Sequence, residues 1–356
     1  MSSRLDLYLF SLLLDCDGKS EFSRVEIQNF IKNGAVKVNN KVVLKPSCKV
    51  KDNDKVDIDK NVIDRYLKEK EENNTLKPKE IDIKIVFENE NLIIIDKQAG
   101  LSVHPGAGNV NNTLVNGLLA LKNSGKLTLS NERGEMRLGI VHRLDKDTSG
   151  LMIVAKNNKA HRLLGEMIKK HDIDRRYLAL CHGIPISSSG RIENSICRDK
   201  KNIEKMKICN KNDDGAKFAI TNYKVLKTFS QNDIDNIIEQ WKKKISINFE
   251  ESLQNGDFFK FLLNSKQDNN NNKTETQNNS LFYSLVECKL ETGRTHQIRL
   301  HMQSIKHPLV GEKIYTSKNF IKQDELLGFS RQMLHSYKLS FVEPITKESI
   351  MNIYFL

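Results

Sequence analysis

The nonapeptide His142–Gly150, HRLDKDTSG, holds the side chains of this sequence that are best placed to do chemistry. An arginine is followed two residues later by Asp145, and a Thr-Ser-Gly turn then leads into the apolar run Leu151–Ala155. Such a loop can hold a carboxylate at a cleft as a nucleophile or general base, while Thr148 and Ser149 bond to neighbouring backbone groups. Because a lone aspartate in a polar loop usually caps a turn, the site needs companions elsewhere.

No pattern of metal ligands accompanies this loop. His296 and His301 are five residues apart, whereas the two histidines of an H-E-x-x-H motif are spaced by four, and no cluster of acidic residues adds ligands. We therefore interpret His104, His142 and His335 as loop or packing residues. The sequence predicts neither a metal site nor metal-dependent hydrolysis.

The composition sets broad limits on the kind of protein. Its 57 Lys and Arg against 45 Asp and Glu give a net charge of +12, which favours a polyanionic partner, although an A+T-rich genome gives the same bias. Six cysteines, at positions 16, 48, 181, 197, 209 and 288, form no C-x-x-C pair, which indicates a reducing compartment. No apolar run suits a membrane span and no signal peptide is recognisable, so we expect a soluble, cytoplasmic protein.

Residues 3–59 form a first unit with clear local signals. Ser23 is a predicted helix N-cap, and the alternating stretch AVKVNNKVV predicts a tight hairpin at Asn39-Asn40. Between Arg24 and Lys51 there are seven basic residues and one acidic residue, which makes a phosphate-binding surface or, alternatively, a merely solvated face. The candidate phosphate-binding side chains are Arg24, Lys32, Lys37, Lys41 and Lys45.

The rest of the chain divides into a linker and a main unit. Residues 60–80 are highly charged and are predicted to be a linker, helical in part. Over residues 81–356, short apolar runs and amphipathic stretches alternate irregularly, which predicts an α+β domain with a mixed, mainly antiparallel sheet. Residues from about 230 to 280 are rich in Asn and Lys. They are predicted to be an insertion in a surface loop, with a short helix around the single Trp and disorder at its end.

The loop at Asp145 has companions along the whole main unit. They are ENENLIIIDKQAGLSVHPGAGN, LGIVHRLDKDTSGLMIVAKN, RRYLALCHG, LETGRTHQIRLHM, HPLVGEKIY and RQMLHSYKLSF. In this order they resemble the RluA/RluD family of pseudouridine synthases, and VHPGAGN with HRLDKDTSG looks closest to RluD-type enzymes of large-subunit ribosomal RNA. The strings RLDLYL, SRVEIQNFIKNGAVKVNNKVV and KPSCKVKDNDKVDI resemble the αL-type RNA-binding domain of ribosomal small-subunit protein four.

This resemblance implies a reaction and assigns roles by matching positions. Uridine in RNA is isomerised to pseudouridine, so that uracil leaves ribose through nitrogen and rejoins it through carbon-5, without cofactor or metal. Asp145 matches the catalytic aspartate, and Arg143 matches an arginine that helps hold the flipped-out nucleotide or the space it vacates. Tyr177 matches the tyrosine that stacks on the target base, and Arg299 matches the arginine that pairs with the aspartate and favours its ionised form.

Some expectations stay open at this point. Arg294 and His296 lie in the same string as Arg299 and are alternatively structural. A noncatalytic RNA-binding or ribosome-assembly factor is an alternative function, and transfer RNA is an alternative substrate. A monomer is the default oligomeric state.

The sequence also departs from the family pattern in three places. Gln98 and Leu138 stand where the resemblance predicts proline, and Glu312 stands where it predicts aspartate. None of the three is expected to touch the proposed catalytic trio of aspartate, tyrosine and arginine.

Overall fold

A computed structural model describes the chain except for residues 1, 14–21, 52, 75, 107–108, 203, 266–280 and 355–356. Contacts divide the chain into two compact units, Met1–Leu76 and Lys77–Leu356. No helix of the described part is both long enough and apolar enough to cross a bilayer. Cys16, part of the VHPGAGN string and the Asn-rich end of the predicted insertion lie outside the described residues.

The first unit packs helices and short strands around one apolar core. Its elements are β1 (Ser2–Arg4), α1 (Leu5–Leu12), α2 (Arg24–Lys32), β2 (Val36–Val38), β3 (Lys41–Val42), β4 (Lys49–Lys51), β5 (Val56–Ile58) and α3 (Lys60–Asn74). Strand β1 pairs with β4, and β2 lies between β3 and β5 in a second, antiparallel sheet. Leu5, Leu9, Ile27, Phe30 and Ile31 form the centre of the core.

Two local predictions for this unit are confirmed. Ser23 caps α2 through a capping box: its hydroxyl accepts from the Glu26 amide at 3.3 Å, and the Glu26 carboxylate accepts from the Ser23 amide at 2.8 Å. Asn39 and Asn40 have φ angles of 50° and 66°, the left-handed conformation that a two-residue hairpin of this type requires.

The part of residues 60–80 that was predicted to be helical is the helix α3, and this helix packs onto the first unit. The side chains Val62, Ile63, Tyr66 and Leu67 pack against the core of the first unit. Their spacing of three and four residues puts them on one helical face, a signal that the surrounding Lys and Glu residues obscured.

The second unit contains the larger sheet. Its strands are β6 (Lys84–Glu88), β7 (Leu92–Lys97), β8 (Ser149–Ala155), β9 (Asp174–His182), β10 (Ser189–Arg198), β11 (Met206–Cys209), β12 (Lys217–Ser230), β13 (Phe282–Leu290), β14 (Leu334–Val342) and β15 (Ser349–Tyr354). Its helices are α4 (Leu114–Asn123), α5 (Asn158–Lys170), α6 (Gln231–Lys244), α7 (Phe249–Ser252), α8 (Asp257–Asn264), α9 (Gln297–Ser304) and α10 (Lys318–Leu327), with a 3₁₀ turn at Glu135–Arg137.

This sheet confirms the predicted α+β class with a mixed, mainly antiparallel sheet. Its strand order is β11-β10-β12-β13-β9-β14-β8-β7-β6, with β15 on β14. All of these described pairs are antiparallel except β8 with β14, which are parallel. Strands β9 and β14 lie at the centre of the sheet, and β14 pairs with β8. Because β8 begins within the HRLDKDTSG string, the loop that carries Asp145 lies next to the middle of the sheet.

The short helix predicted around Trp241 is present as α6, but α6, α7 and α8 pack into a core, so the prediction of a surface loop was wrong over these helices. Ile234, Ile237, Ile238 and Trp241 of α6 are all buried, in one core with residues of β9 and β13. The Trp241 indole also donates to the Ser252 hydroxyl at 2.9 Å. These apolar residues recur at positions i, i+3, i+4 and i+7, so the helical period outweighs the Asn- and Lys-rich composition.

Candidate active site

Four residues predicted to form the site line one cavity of about 410 Å³ in the second unit. They are Arg143, Asp145, Tyr177 and Arg299. They lie on a loop, a strand and a helix that are far apart in sequence, and the fold brings these four residues together. The five candidate phosphate-binding residues belong to the first unit.

The Asp145 loop is fixed by two buried basic side chains. Lys97, which is 1% exposed, donates from Nζ to the carbonyl of Lys146 at 2.9 Å. Arg331, which is 4% exposed, donates from Nη1 to the carbonyl of Asp147 at 3.0 Å. With both carbonyls after Asp145 held, the aspartate is positioned by the backbone, and its side chain keeps 20% exposure toward the cavity.

The hydroxyl groups of this loop do not bond to neighbouring backbone groups, so that prediction was wrong. The Ser149 hydroxyl lies 2.9 Å from His335 Nδ1 and accepts from Arg331 Nη2 at 3.2 Å. The Thr148 hydroxyl accepts from Gln332 Nε2 at 3.5 Å. These partners are nearly two hundred residues away, so local turn chemistry could not reveal them.

Gly150 is required at the start of β8. Its φ is 111°, and a Cβ atom placed on it would lie 2.2 Å from the carbonyl oxygen of Ser336 on β14. Any side chain would force the parallel strands β8 and β14 apart, and the loop that carries Asp145 would move with β8.

Arg299, on α9, is the charge partner of Asp145. Its Nη1 lies 3.4 Å from Asp145 Oδ2, while Nε and Nη2 donate to Glu312 at 2.7 and 2.8 Å. Burial alone lowers the pKa of Arg299, but the hydrogen bonds and charge of Glu312 reverse this and hold it above its usual value. Burial raises the pKa of Glu312, and the bonds from Arg299 outweigh that effect and lower it. Both groups are therefore ionised at neutral pH.

The expectation that Glu312 would not touch the catalytic trio was therefore wrong. It is fully buried and anchors the arginine of that trio. Position 312 was singled out in the sequence only because it departs from the family pattern.

His296 is a residue that sequence reasoning left open. Its Nε2 lies 4.0 Å from Asp145 Oδ2, and its Nδ1 lies 2.6 Å from the Tyr315 hydroxyl. Burial lowers the pKa of His296, so the ring is neutral near pH 7. The ring therefore contributes a hydrogen-bonding group to the cavity wall and not a second positive charge. His142, by contrast, packs as predicted: its Nε2 accepts from the Ile153 amide at 3.0 Å.

Tyr177 lies on β9 with 4% exposure and contributes to the cavity wall. Its hydroxyl is hydrogen-bonded to Ser336, and burial raises its pKa, so the phenol is neutral at physiological pH. Its aromatic ring is therefore held in place beside the cavity that contains Asp145. Arg143, in contrast, is exposed at the cavity's edge.

The loop before α9 is held by Gln297, which sequence reasoning did not single out. Its side-chain oxygen accepts from the Arg294 amide at 2.9 Å and from the Thr292 hydroxyl at 2.8 Å, while its nitrogen donates to the Ile220 carbonyl at 2.9 Å. The Arg294 guanidinium donates to the Phe218 carbonyl at 3.0 Å. This contact favours a structural role for Arg294, one of the two roles that the sequence left open, although Arg294 also lines the cavity.

In the first unit, the five candidate basic residues are all exposed, but they are not equivalent. Arg24 forms an ion pair with the buried Asp6 at 3.1 Å. Burial raises the pKa of Asp6, and the hydrogen bonds from Arg4, Gln28 and Arg24 together overcome this and hold it well below its usual value. None of the four candidate lysines forms an ion pair of this kind with another described residue, so Arg24 is the one whose side chain also stabilises the fold.

Within the described part of the chain, one group of side chains has the spacing of metal ligands. It comprises Cys197, Cys209 and Asp213, whose ligand atoms lie within 4.8 Å of each other. The pairing of β10 with β11 brings the two cysteines together, which their sequence separation did not reveal. None of the three lines the cavity of Asp145.

Comparisons with known proteins found matches for both units. The family described as RNA pseudouridylate synthase matches residues 91–304, and the S4 domain family matches residues 3–56. The chain is 35% identical over 350 residues to ribosomal large subunit pseudouridine synthase D of Zymomonas mobilis, covering 98% of this chain and 88% of that one. It is 33% identical over 349 residues to the uncharacterized RNA pseudouridine synthase YlyB of Bacillus subtilis, covering 98% and 89%.

A solved structure shares the fold. Human RNA pseudouridylate synthase domain containing 1 superposes with a TM-score of 0.50 at 20% identity, over 77% of this chain and 83% of that one. The resemblances of both units to known families are thus confirmed, and a noncatalytic RNA-binding role is not favoured. The chain belongs to the RNA pseudouridylate synthase family, whose members isomerise uridine within RNA.

Proposed function

We propose that this chain converts uridines of large-subunit ribosomal RNA to pseudouridine, with Asp145 as its catalytic carboxylate. The observation that carries the proposal is one cavity of about 410 Å³ that contains Asp145, the ring of Tyr177 and the guanidinium of Arg299. The relatives named ribosomal large subunit pseudouridine synthase D support ribosomal RNA as the substrate.

The residues divide the chemistry among them. A uridine inside folded RNA must first be flipped out, at a cost of a few kcal/mol, and Arg143 at the cavity's edge holds it or fills the vacated space. Asp145 then acts on the sugar, by attack at the anomeric carbon or by proton abstraction from the neighbouring carbon. The detached uracil rests on Tyr177 while it turns, and Arg299 is the charge partner of the carboxylate.

The first unit is assigned to RNA binding. Residues 3–59 form the RNA-binding domain and residues 81–356 the catalytic domain in this proposal. The exposed side chains Lys32, Lys37, Lys41 and Lys45 contact phosphates, with Arg24 beside them. The enzyme works as a monomer in the cytoplasm, where ribosomal RNA is found.

The test maps pseudouridine in total RNA from cells whose only copy of this enzyme is wild type or Asp145→Asn. We expect a small set of modified positions in large-subunit ribosomal RNA that disappear in the variant. If the positions that disappear lie in transfer RNA instead, the substrate is transfer RNA and the assigned reaction is unchanged. Positions that persist unchanged in the variant would contradict the assignment of Asp145.

A further inference from the structure

Arg175 is a buried arginine in the wall of the Asp145 cavity, and it has no role in the proposed function described above. It lies on β9, two residues before Tyr177, and is 4% exposed. Its Nε is buried and has no hydrogen-bond partner, and its guanidinium forms no ion pair with another residue of the described part of the chain. A desolvated positive charge is therefore directed at the site without a compensating group.

The other buried arginines of the site are satisfied. Arg299 donates to Glu312 and Asp145, and Arg331 donates to the backbone carbonyls of Leu253 and Asp147. Burying a charge without a partner is costly, and proteins normally supply one. At Arg175 a group that enters the cavity can supply this partner.

The groups around Arg175 leave its guanidinium space, and the cavity they line carries more basic than acidic side chains. A Cβ atom on Gly293 would lie 3.0 Å from Arg175 Nη1, so the glycine of the loop before α9 makes room for the guanidinium. Lys169 and His171, from the end of α5, line the cavity as well. His142 also faces Arg175, and burial and this positive charge lower its pKa, which keeps it neutral. This part of the cavity is suited to an anion.

We propose that Arg175 is a substrate contact that binds an anionic oxygen of the flipped-out uridine nucleotide. The proposal rests on the proposed function, which supplies the nucleotide. Arg175 and Tyr177 project to the same face of β9, about 7 Å apart along the strand, so a base on the tyrosine brings its nucleotide oxygens to the arginine.

Two oxygens of that nucleotide carry the required charge. One belongs to a phosphate that flanks the uridine. The other is a carbonyl oxygen of uracil: when the bond between ribose C1′ and N1 breaks, its electron pair stays on the ring and spreads onto the oxygens. C5 then forms the new bond to C1′ and loses its proton, so nothing else is consumed.

The first experiment compares wild type with Arg175→Met, using Arg176→Met as the matched control. Arg176 neighbours Arg175 on the same strand but points to the opposite face and does not line the cavity. The assay follows a synthetic RNA oligonucleotide that carries a uridine mapped as modified by wild type. We expect Arg175→Met to lower kcat/KM about 10- to 100-fold, the effect of losing a charge-assisted hydrogen bond, and Arg176→Met to change it little.

Thermal melting of the free proteins separates a substrate contact from a structural role. An unpaired buried charge does not stabilise the free protein, so Arg175→Met should melt at or above the wild-type temperature. A variant that melts lower and keeps wild-type kcat/KM overturns the proposal. If wild type itself forms no pseudouridine in any RNA, the proposed function fails, which is a different result.

Two altered substrates identify the oxygen. A methylphosphonate that replaces one flanking phosphate should remove the effect of Arg175→Met if the phosphate is the partner. A 2-thiouridine or a 4-thiouridine, each of which replaces one uracil oxygen with sulfur and keeps the hydrogen on C5, should reduce that effect if uracil is the partner. A full effect of Arg175→Met on every altered substrate would mean that no anionic oxygen is bound, and would overturn the proposal.

Discussion

Glu312 holds Arg299 by two parallel hydrogen bonds, of 2.7 Å from Nε and 2.8 Å from Nη2, and leaves Nη1 directed at Asp145. The amides of Ile314 and Tyr315 also donate to this carboxylate, at 2.8 and 3.3 Å. A buried glutamate thus fixes the orientation of the arginine that faces the proposed catalytic aspartate. The orientation of Arg299 toward Asp145 thus depends on a buried side chain that does not itself line the cavity.

Glu312→Gln tests this arrangement. The amide replaces one of the two accepting oxygens with an NH2 group, so one of the two parallel hydrogen bonds from the guanidinium is lost and Arg299 loses its fixed orientation toward Asp145. We expect the single-turnover rate to fall about 100-fold, the effect of a small misplacement in an active site. Glu312→Asp is the control, because it keeps the carboxylate and restores the residue that the family pattern predicts. Equal rates for wild type and Glu312→Gln would contradict this role.

Trp241→Ala tests whether α6 belongs to the core. Trp241 is 7% exposed and packs against Phe258 and Phe261, with ring centroids 5.9 and 5.2 Å away. We expect the free energy of unfolding to fall by about 3–5 kcal/mol, measured by urea denaturation followed by circular dichroism. The control Ile186→Ala, at a fully exposed position, should change it by less than about 0.5 kcal/mol. If Trp241→Ala and Ile186→Ala change the free energy of unfolding equally, α6 is a surface element and not part of the core.

Acid stability should depend on His142. Burial lowers the pKa of His142 to about 3, whereas the unfolded chain has a histidine pKa of about 6.5. Between these values the unfolded state binds the extra proton, so this group's contribution to the free energy of unfolding is lost as the pH falls from about 6.5.

His142→Gln should therefore flatten the loss of stability in acid by up to about 1.4 kcal/mol per pH unit. The measurement is the urea denaturation midpoint from pH 7 down to pH 4.5. His171→Gln, at an exposed histidine, is the control and should keep the wild-type slope. A wild-type slope for His142→Gln would show that another group controls the acid transition.

The lysines of the first unit should act through salt-dependent binding. Lys37→Gln, Lys41→Gln and Lys45→Gln combined remove three exposed charges, so the slope of log K against log salt should become shallower by about 2–3 units. Arg24→Gln is the contrasting variant, since it breaks an ion pair with Asp6 and should lower stability instead. Binding of a large-subunit ribosomal RNA transcript at several KCl concentrations measures the slope. An unchanged slope for the triple variant would mean that these lysines bind no phosphate.

Local signals predicted local structure well. Ser23 with Glu26 identified the start of α2, Asn39-Asn40 identified a hairpin, and the string around Asp145 predicted a loop that lines a cavity. Each of these depends on interactions between residues close in sequence, which is why a single sequence carries them.

Long-range partners could not be predicted in this way. Glu312 was noted only as a departure from a pattern, and the burial of Arg175 depends on how β9 packs beside the loop before α9. The long strand β12 was missed because its half-exposed residues show weak alternation, and α6 was misjudged because composition was given more weight than period.

The most direct test of the central claim is the release of tritium from carbon-5 of uridine. Forming the C1′–C5 bond expels the hydrogen on C5, so each pseudouridine made from C5-tritiated RNA frees one tritium into water. Purified wild type should release tritium from a labelled large-subunit ribosomal RNA transcript. Asp145→Asn should bind that transcript with unchanged affinity and release none. Release by Asp145→Asn at the wild-type rate would contradict the assignment of Asp145 as the catalytic carboxylate.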